Sequence, residues 1–401
     1  MKTWKHFTFM AFFAFFGIAV VFTACDNGTT EFLLDDEQEW DDLAPFFSKG
    51  VSFFGRFDKE GIEWIKDVNR YREQDFANVK SLGIDVIRLP IDFNFFTSDA
   101  PRYTLYPSFL NSLDRLVYFA NKYQIYIILD NHPDGQPLIT ENYQNFLIPV
   151  WTQMAEYYKN RSKYIVFEIL NEPNANGIFA SNWGEMQREV INAIRMIDQN
   201  HWIVVSGLHV GEDPAVGLSA LPKYTDNKLL YTFHFYEPHI FTLPEWHAFT
   251  MPDWVKDYDQ LALPFPYDKD RMPVLPSGQA GTEWIEERFK NYPNEATTEV
   301  LTRKIDKVSD FMKQRNVPVF CGEFGADMMY ARSEDRIRYY KFVRETLEAR
   351  SIPWIMWQYF DKNGLFNPPN GKAEHIFKGD FNKDLNVELV RALGLTLPPQ
   401  R

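Results

Sequence analysis

Short apolar runs alternate along the chain with longer stretches in which apolar residues recur at spacings of three and four. The runs are Val51 to Phe54, Asp85 to Leu89, Ile125 to Leu129, Tyr164 to Leu170, Trp202 to Val205, Leu229 to Phe235, Val317 to Phe320 and Ile352 to Trp357. Each is too short for a helix and mostly apolar without strict alternation, the pattern of a parallel strand covered on both faces. Between them the three-and-four spacing predicts helices over Arg72 to Leu82, Pro107 to Lys122, Asn142 to Asn160, Trp183 to Gln199, Ala296 to Arg315 and Glu334 to Arg350. Strand–helix alternation of this kind argues a parallel α/β fold, and eight strands favour closure into a (β/α)8 barrel. Two places break the rhythm. Asp213 to Asn227, where a fifth helix belongs, is short and holds two prolines. Tyr236 to Ala296 is far longer than the other connections and predicts an ordered insertion after strand six, with a helix near Thr282 to Lys290.

The strand interiors are apolar, but their C-terminal ends are not. Arg88 sits in Ile-Arg-Leu-Pro, Asp130-Asn131-His132 close the third run and Asn171-Glu172 the fourth. Ser206 follows the fifth, His234 and Tyr236 end the sixth, Glu323 follows the seventh, and Trp357-Gln358 end the eighth. Barrel chemistry collects at that rim. A single strand-end glutamate is as readily a salt-bridged loop residue. Two of them on separate strands, Glu172 and Glu323, are what cleavage of a glycosidic bond uses. His209 and Glu212, beyond the fifth strand, read as loop decoration or as cleft lining.

Composition narrows the partners. The chain has 401 residues, 45% hydrophobic and 24% charged, as in ordinary globular proteins. A formal net charge of -13 excludes nucleic acid as a partner and suits a neutral substrate. Aromatic residues reach 17%, enough to supply stacking faces for sugar rings besides a core. Lys2, Lys5 and His6 precede the apolar run Phe7 to Val21, which ends at Phe22-Thr23-Ala24-Cys25. This resembles a bacterial lipoprotein signal, which implies cleavage before Cys25 and lipidation of its thiol. Residues 1–25 are then a signal peptide, 26–44 an acidic tether and 45–401 one catalytic domain. The expected address is export, with membrane attachment through the lipid alone, at the cell surface or in the periplasm. Cys321, the other cysteine, reads as a small buried hydrophobe. No Cys or His pair has metal-ligand spacing, so neither metal nor organic cofactor is expected, and the chain is expected to be a monomer.

In combination the strand-end motifs are specific. Ile169-Leu170-Asn171-Glu172-Pro173, then His234-Phe235-Tyr236, then Gly322-Glu323-Phe324-Gly325, then Trp357 resemble glycoside hydrolase family 5, the cellulase-like barrel enzymes. The resemblance implies retaining hydrolysis of a β-1,4-glucan or related polysaccharide. It implies that Glu172 is the acid/base and Glu323 the nucleophile, with Arg88 and Tyr236 supporting Glu323 and His234 orienting Glu172. Asn171 would bond the sugar 2-hydroxyl, His132 would contact the sugar before the cleaved bond, and Trp357 would be its stacking floor. An acid working near neutral pH predicts a desolvated Glu172 or a negative neighbour. Glu168, four residues earlier, calls for a partner inside the barrel, and Arg88 is the candidate. Glu237 to Thr242 resembles a stretch of some cellulase-like members, which continue with Gln-Gly-Ala where this chain has Leu243-Pro244-Glu245. Trp246, Trp254 and Trp284 are candidates for leaving-group sugars or for packing. Mannan, xyloglucan or mixed-linkage glucan are alternative substrates. A non-catalytic glycan-binding lipoprotein, or a metal-dependent hydrolase built on Asp130, His132 and His234, are alternative classes.

Overall fold

Each of the eight apolar runs forms a strand, and every strand pairs in parallel with its sequence neighbours, the eighth closing on the first. The computed structural model describes residues 47–53, 70–133, 142–173, 182–209, 213–242, 262–274, 283–368 and 378–398. All of these fall in one compact unit, 33–401. The segments expected to be a signal and a tether, with Cys25, Glu212, Trp246 and Trp254, lie outside them, as does the side chain of Trp284.

The strands are β1 (Lys49–Ser52), β2 (Val86–Ile91), β3 (Tyr126–Asn131), β4 (Ile165–Glu168), β5 (Trp202–Ser206), β6 (Leu229–Phe235), β7 (Val319–Phe324) and β8 (Trp354–Met356). Helices cover them: α1 (Glu73–Ser81), α2 (Pro107–Tyr123), α3 (Gln144–Tyr158), α4 (Trp183–Arg195), α5 (Pro214–Ala220), α6 (His239–Thr242), α7 (Glu283–Glu295), α8 (Thr298–Arg315), α9 (Ser333–Glu348) and α10 (Val387–Ala392). The architecture is the (β/α)8 barrel. Helix ends follow local chemistry. Thr297 caps α8 with its hydroxyl on the Val300 amide, and left-handed residues, Gln124 and Asn316, stop α2 and α8. The obscure fifth helix is α5, started by the Asp213 carboxylate on the Ala215 amide and by Pro214. In the long connection α6, a 3-10 turn at Lys269–Arg271 and α7 are the described elements.

Inside the barrel, side chains stack in two layers of opposite character. Val86, Ile128, Val166, Val204, Leu230, Phe320 and Ile355 form an apolar floor with Phe47. Gly50 completes it, because a Cβ there would lie 2.6 Å from a Val86 methyl. Two residues further along five of those strands, hence on the same face, stand Arg88, Asp130, Glu168, Ser206 and Thr232, all buried. A polar layer thus rests on an apolar one and faces the rim.

Most strand ends shift by one to four residues from the sequence pattern, and the shifts of β4 and β7 place the two rim glutamates. β4 stops at Glu168, not Leu170. The chain then turns, and Glu172 takes the left-handed backbone with φ of 38°, a costly conformation for a branched-free but non-glycine residue. The tryptophan indoles of α3 and α4 satisfy strand-end carbonyls nearby, Trp151 on Ile169 and Trp183 on Ser206. β7 runs on to Phe324, because it carries a bulge. Phe233 pairs with Cys321 but His234 with Glu323, so the register skips Gly322, and the β8 side shows the same extra residue. A one-residue slip reverses which face a side chain takes. Cys321 therefore points outward while Glu323 is turned into the barrel.

Candidate active site

Arg88 is the centre of the polar layer. It is fully buried, and its guanidinium binds Glu168 through Nε at 2.7 Å and Nη2 at 2.9 Å. Nη1 donates to Glu323 Oε1 at 2.6 Å, Nη2 donates to Asn171 Oδ1 at 2.8 Å, and Asp130 Oδ2 lies 2.9 Å from Nη2. Burial works against the charge of Arg88, but Asp130, Glu168 and Glu323 outweigh it and hold the guanidinium well above its usual pKa. Burial in turn raises Glu168, and pushes Asp130 up to about 7 against the pull of Arg88. Glu168 thus has the partner expected for it.

The hydrogen bonds around His132 fix its tautomer. Asn171 spends its carbonyl on Arg88, so its amide nitrogen, 3.3 Å from His132 Nε2, donates there. His132 then carries its proton on Nδ1, 2.7 Å from Asp130 Oδ2. Burial, aided by the charge of Arg88, holds His132 down to about 4, so the ring is neutral. It stacks beside Trp357, with ring centroids 5.7 Å apart and planes 17° apart.

Both rim glutamates have two or more partners. Tyr236 donates to Glu323 Oε2 at 2.7 Å, opposite the Arg88 contact on Oε1. His234 Nδ1 lies 2.6 Å from Glu172 Oε1 and 3.6 Å from Glu323 Oε2. Ligand atoms of Glu172, His234 and Glu323 all lie within 4.8 Å of one another, so the two carboxylates face each other at one rim. Gly322 makes that packing feasible. A Cβ there would meet the Thr232 hydroxyl at 2.4 Å and His234 Nε2 at 3.2 Å. Behind the strand, the Cys321 thiol donates to the Glu323 backbone carbonyl at 3.2 Å, and burial pushes the thiol well up.

Electrostatics at Glu172 depart from the expectation. The residue is largely shielded, its side chain 10% exposed, and has Glu323 as a negative neighbour, both of which favour a proton. Even so, the charges of His209 and His234 and the His234 hydrogen bond bring Glu172 below the usual carboxylate range despite that burial. His234 moves the other way, raised by Glu323 and Glu172 against its own burial. The two side chains share one proton that rests on the imidazole side.

Eight predicted rim residues, Arg88, His132, Asn171, Glu172, His234, Tyr236, Glu323 and Trp357, thus converge in one cleft at the C-terminal ends of the strands. The cellulase family, glycosyl hydrolase family 5, matches residues 44–363. The chain belongs to that family and is a glycoside hydrolase. Among family relatives, Endoglucanase 3 of Fibrobacter succinogenes is 25% identical over 348 residues, 78% of this chain and 49% of its own length. Endoglucanase C of Acetivibrio thermocellus is 26% identical over 310 residues, 72% of this chain and 83% of its own. This chain therefore spans about half of the first relative and most of the second. The crystal structure of endoglucanase Cel5A from Thermotoga maritima shares the fold, with a TM-score of 0.64 at 21% identity, covering 86% of this chain and 96% of that one. That protein has also been solved with cellobiose and with a mannotriose substrate.

Two contributions were not legible as site features. Asp130 follows the third run at the rim, yet nothing in the sequence says that it holds the proton of His132 on Nδ1. His209 comes within 3.9 Å of Glu172 from the loop after β5, where the sequence left it between cleft and decoration. The lone glycine in the β7 run was the available signal for the bulge, since glycine inside a strand marks irregular pairing.

Proposed function

We propose that the chain cleaves β-1,4-glucan at internal bonds by double displacement, with retention at the anomeric carbon. The observation that carries this reading is the approach of Glu172 and Glu323, whose carboxylate oxygens and His234 lie within 4.8 Å of one another. Retaining chemistry places its two carboxyls ~5–5.5 Å apart, whereas inversion leaves room for a water between them. Glu323, held between Arg88 and Tyr236, attacks the anomeric carbon as a carboxylate and forms the glycosyl-enzyme. The proton shared by Glu172 and His234 goes to the departing oxygen, and Glu172 then takes one from the attacking water. Asn171 and neutral His132 offer fixed polar atoms on the flank where Trp357 offers a ring face. The names of the relatives support glucan over other polymers.

Glu172→Gln and Glu323→Gln should each lower kcat on soluble β-1,4-glucan by roughly 10³-fold or more while leaving binding measurable. Proton NMR of the first product should show the β-anomer before mutarotation. Wild-type protein that binds glucan without cleaving it would overturn the reading. Mannan is the second substrate to test, because the Thermotoga maritima protein of the same fold has been solved with mannotriose. We also propose that Cys25 is acylated and tethers the exported enzyme to a membrane, on the strength of the Lys2 to Cys25 segment. Radiolabelled palmitate should enter the wild type and not Cys25→Ala; label in both would refute the anchor.

A further inference from the structure

A cavity opens beside one of the two rim glutamates and not the other. Glu172 and His234 line it, whereas Glu323, Arg88 and Trp357 do not. It runs from Glu172 between the loops that follow β5 and β6, past Ser206, Asp213, Thr232, Tyr236 and Glu237. The carboxyl that protonates the departing oxygen therefore faces this space, and the attacking carboxylate lies outside it. The group that leaves with the proton is the one placed to enter.

Six side chains with a carboxyl or a hydroxyl line the cavity, and four of them are committed. His234 holds Glu172, and Tyr236 donates to Glu323. The Ser206 hydroxyl donates to the Leu170 carbonyl at 2.7 Å. Asp213 accepts from the Ala215 amide through Oδ1 at 3.1 Å and pairs with Lys307 through Oδ2. Thr232 and Glu237 remain. The Thr232 hydroxyl is buried and has no hydrogen-bond partner. Glu237, only 3% exposed, takes Lys304 on Oε2 at 3.2 Å. Its Oε1 meets, among the described residues, only His239 Nε2 at 3.6 Å, beyond hydrogen-bond reach. A buried carboxyl oxygen in that position gains free energy when a donor arrives. The walls are stiff. The Thr242 hydroxyl donates to the Tyr236 carbonyl, and the Thr242 carbonyl accepts from the Asp327 amide at 3.1 Å. Opposite, a Cβ on Gly217 would lie 2.1 Å from the Leu208 carbonyl oxygen. Lys304 and Lys307, one turn apart on α8, balance Glu237 and Asp213, so the cavity suits a neutral ligand that carries hydroxyls.

We propose that Glu237 is a specificity-determining residue that receives a hydroxyl of the leaving-group sugar at Oε1 while Lys304 holds Oε2. The inference rests on the double-displacement reading and extends it to the sugar beyond the cleaved bond. A contact to a part of the substrate that does not react lowers the barrier when it is made in the transition state. Glu237 is therefore needed where the leaving group is a sugar and idle where the leaving group has no hydroxyls to offer. The same contact serves a sugar that returns in the second step. The ester bond between the anomeric carbon and Glu323 then breaks, a bond to the incoming hydroxyl oxygen forms, and the proton of that hydroxyl passes to Glu172.

The test uses two substrates that deliver the same cellobiosyl group: cellotetraose cut at its central bond, whose leaving group is a sugar, and nitrophenyl β-cellobioside, whose leaving group is a phenol. The first readout is the ratio of kcat/KM on cellotetraose to kcat/KM on the aryl cellobioside. The second is the ratio of transfer to hydrolysis when cellobiose is added during turnover of the aryl cellobioside. Glu237→Ala should lower both ratios roughly tenfold or more, the loss expected when a hydrogen bond to a charged group is removed. A Glu237 that acts only on its loop, as the partner of Lys304, would slow both substrates alike. Ratios equal to those of wild type would therefore overturn the proposal. Should Glu237→Ala fail to fold, Glu237→Gln, which keeps the size and an acceptor oxygen without the charge, should lower both ratios about threefold, and unchanged ratios there would overturn it equally. Failure of the double-displacement reading would show separately, as an α-anomeric first product from the wild type.

Discussion

Arg88 neutralises carboxylates from β3, β4 and β7 while itself excluded from water. Removing one partner from such a set leaves uncompensated buried charge, which costs several times more than a surface ion pair. Arg88→Met should therefore lower unfolding free energy by ~3 kcal/mol or more in a urea titration, besides abolishing turnover. A loss under ~1 kcal/mol would mean that Asp130 and Glu168 simply take up protons and carry the substitution. Arg88 stood out in the sequence because a lone guanidinium in an apolar run must have buried partners. Which partners it has was legible only in part. Glu168 follows from alternation along β4, but the Asp130–His132–Asn171 chain joins residues from two strands and depends on how their backbones cross. His209 is the extreme case, since no pattern in its loop separates a residue aimed at Glu172 from one aimed at solvent.

At the scale of elements, the eight strands and the long helices were readable because each must bury a continuous apolar face, and burial leaves its period in the sequence. Ends were less readable. β4 and β7 depart from their apolar runs because one turns early into the Glu172 backbone and the other inserts Gly322. That insertion makes a specific prediction. Gly322→Ala puts a methyl against the Thr232 hydroxyl and His234. Overpacking of this kind typically costs ~1–3 kcal/mol. Turnover should drop about tenfold or more as His234 loses its grip on Glu172, since one displaced proton donor is commonly worth 10²-fold or more. Thr232→Ala in the same chain should restore much of both, measured by thermal melts and by kcat. Failure of the second substitution to rescue would place the constraint in the backbone of the bulge and not in side-chain space.

For the whole molecule, the buried carboxyls set the pH at which the fold is firmest. Burial pushes Asp130, Glu237 and Asp327 up to about 7. Their unfolded values lie near ~4, so the native state binds the extra protons and their stabilising contribution, complete below pH ~4, is lost as pH rises toward 7. His234, also raised, acts in the same direction, whereas His132, held down to about 4, acts in the opposite one over the same window. Asp198 and Asp335 are buried too, but His201 and the arginines Arg271 and Arg338 hold them low, so their contribution disappears only at more acid pH. Urea midpoints should therefore fall between about pH 5 and 7, and Asp327→Asn should flatten part of that fall. A midpoint that climbs steadily to pH 7 would contradict this balance.

The thiol behind β7 gives that strand a chemical clock. Cys321 is sealed from solvent and hydrogen-bonded to the backbone of the very residue assigned to attack the sugar. With position 25 acylated or replaced, no other sulfhydryl competes for an alkylating reagent. The rate at which Cys321 is modified then times the opening of the scaffold beneath Glu323, and slower modification in the presence of a bound oligosaccharide would express occupancy of the cleft as quieter motion in its foundation.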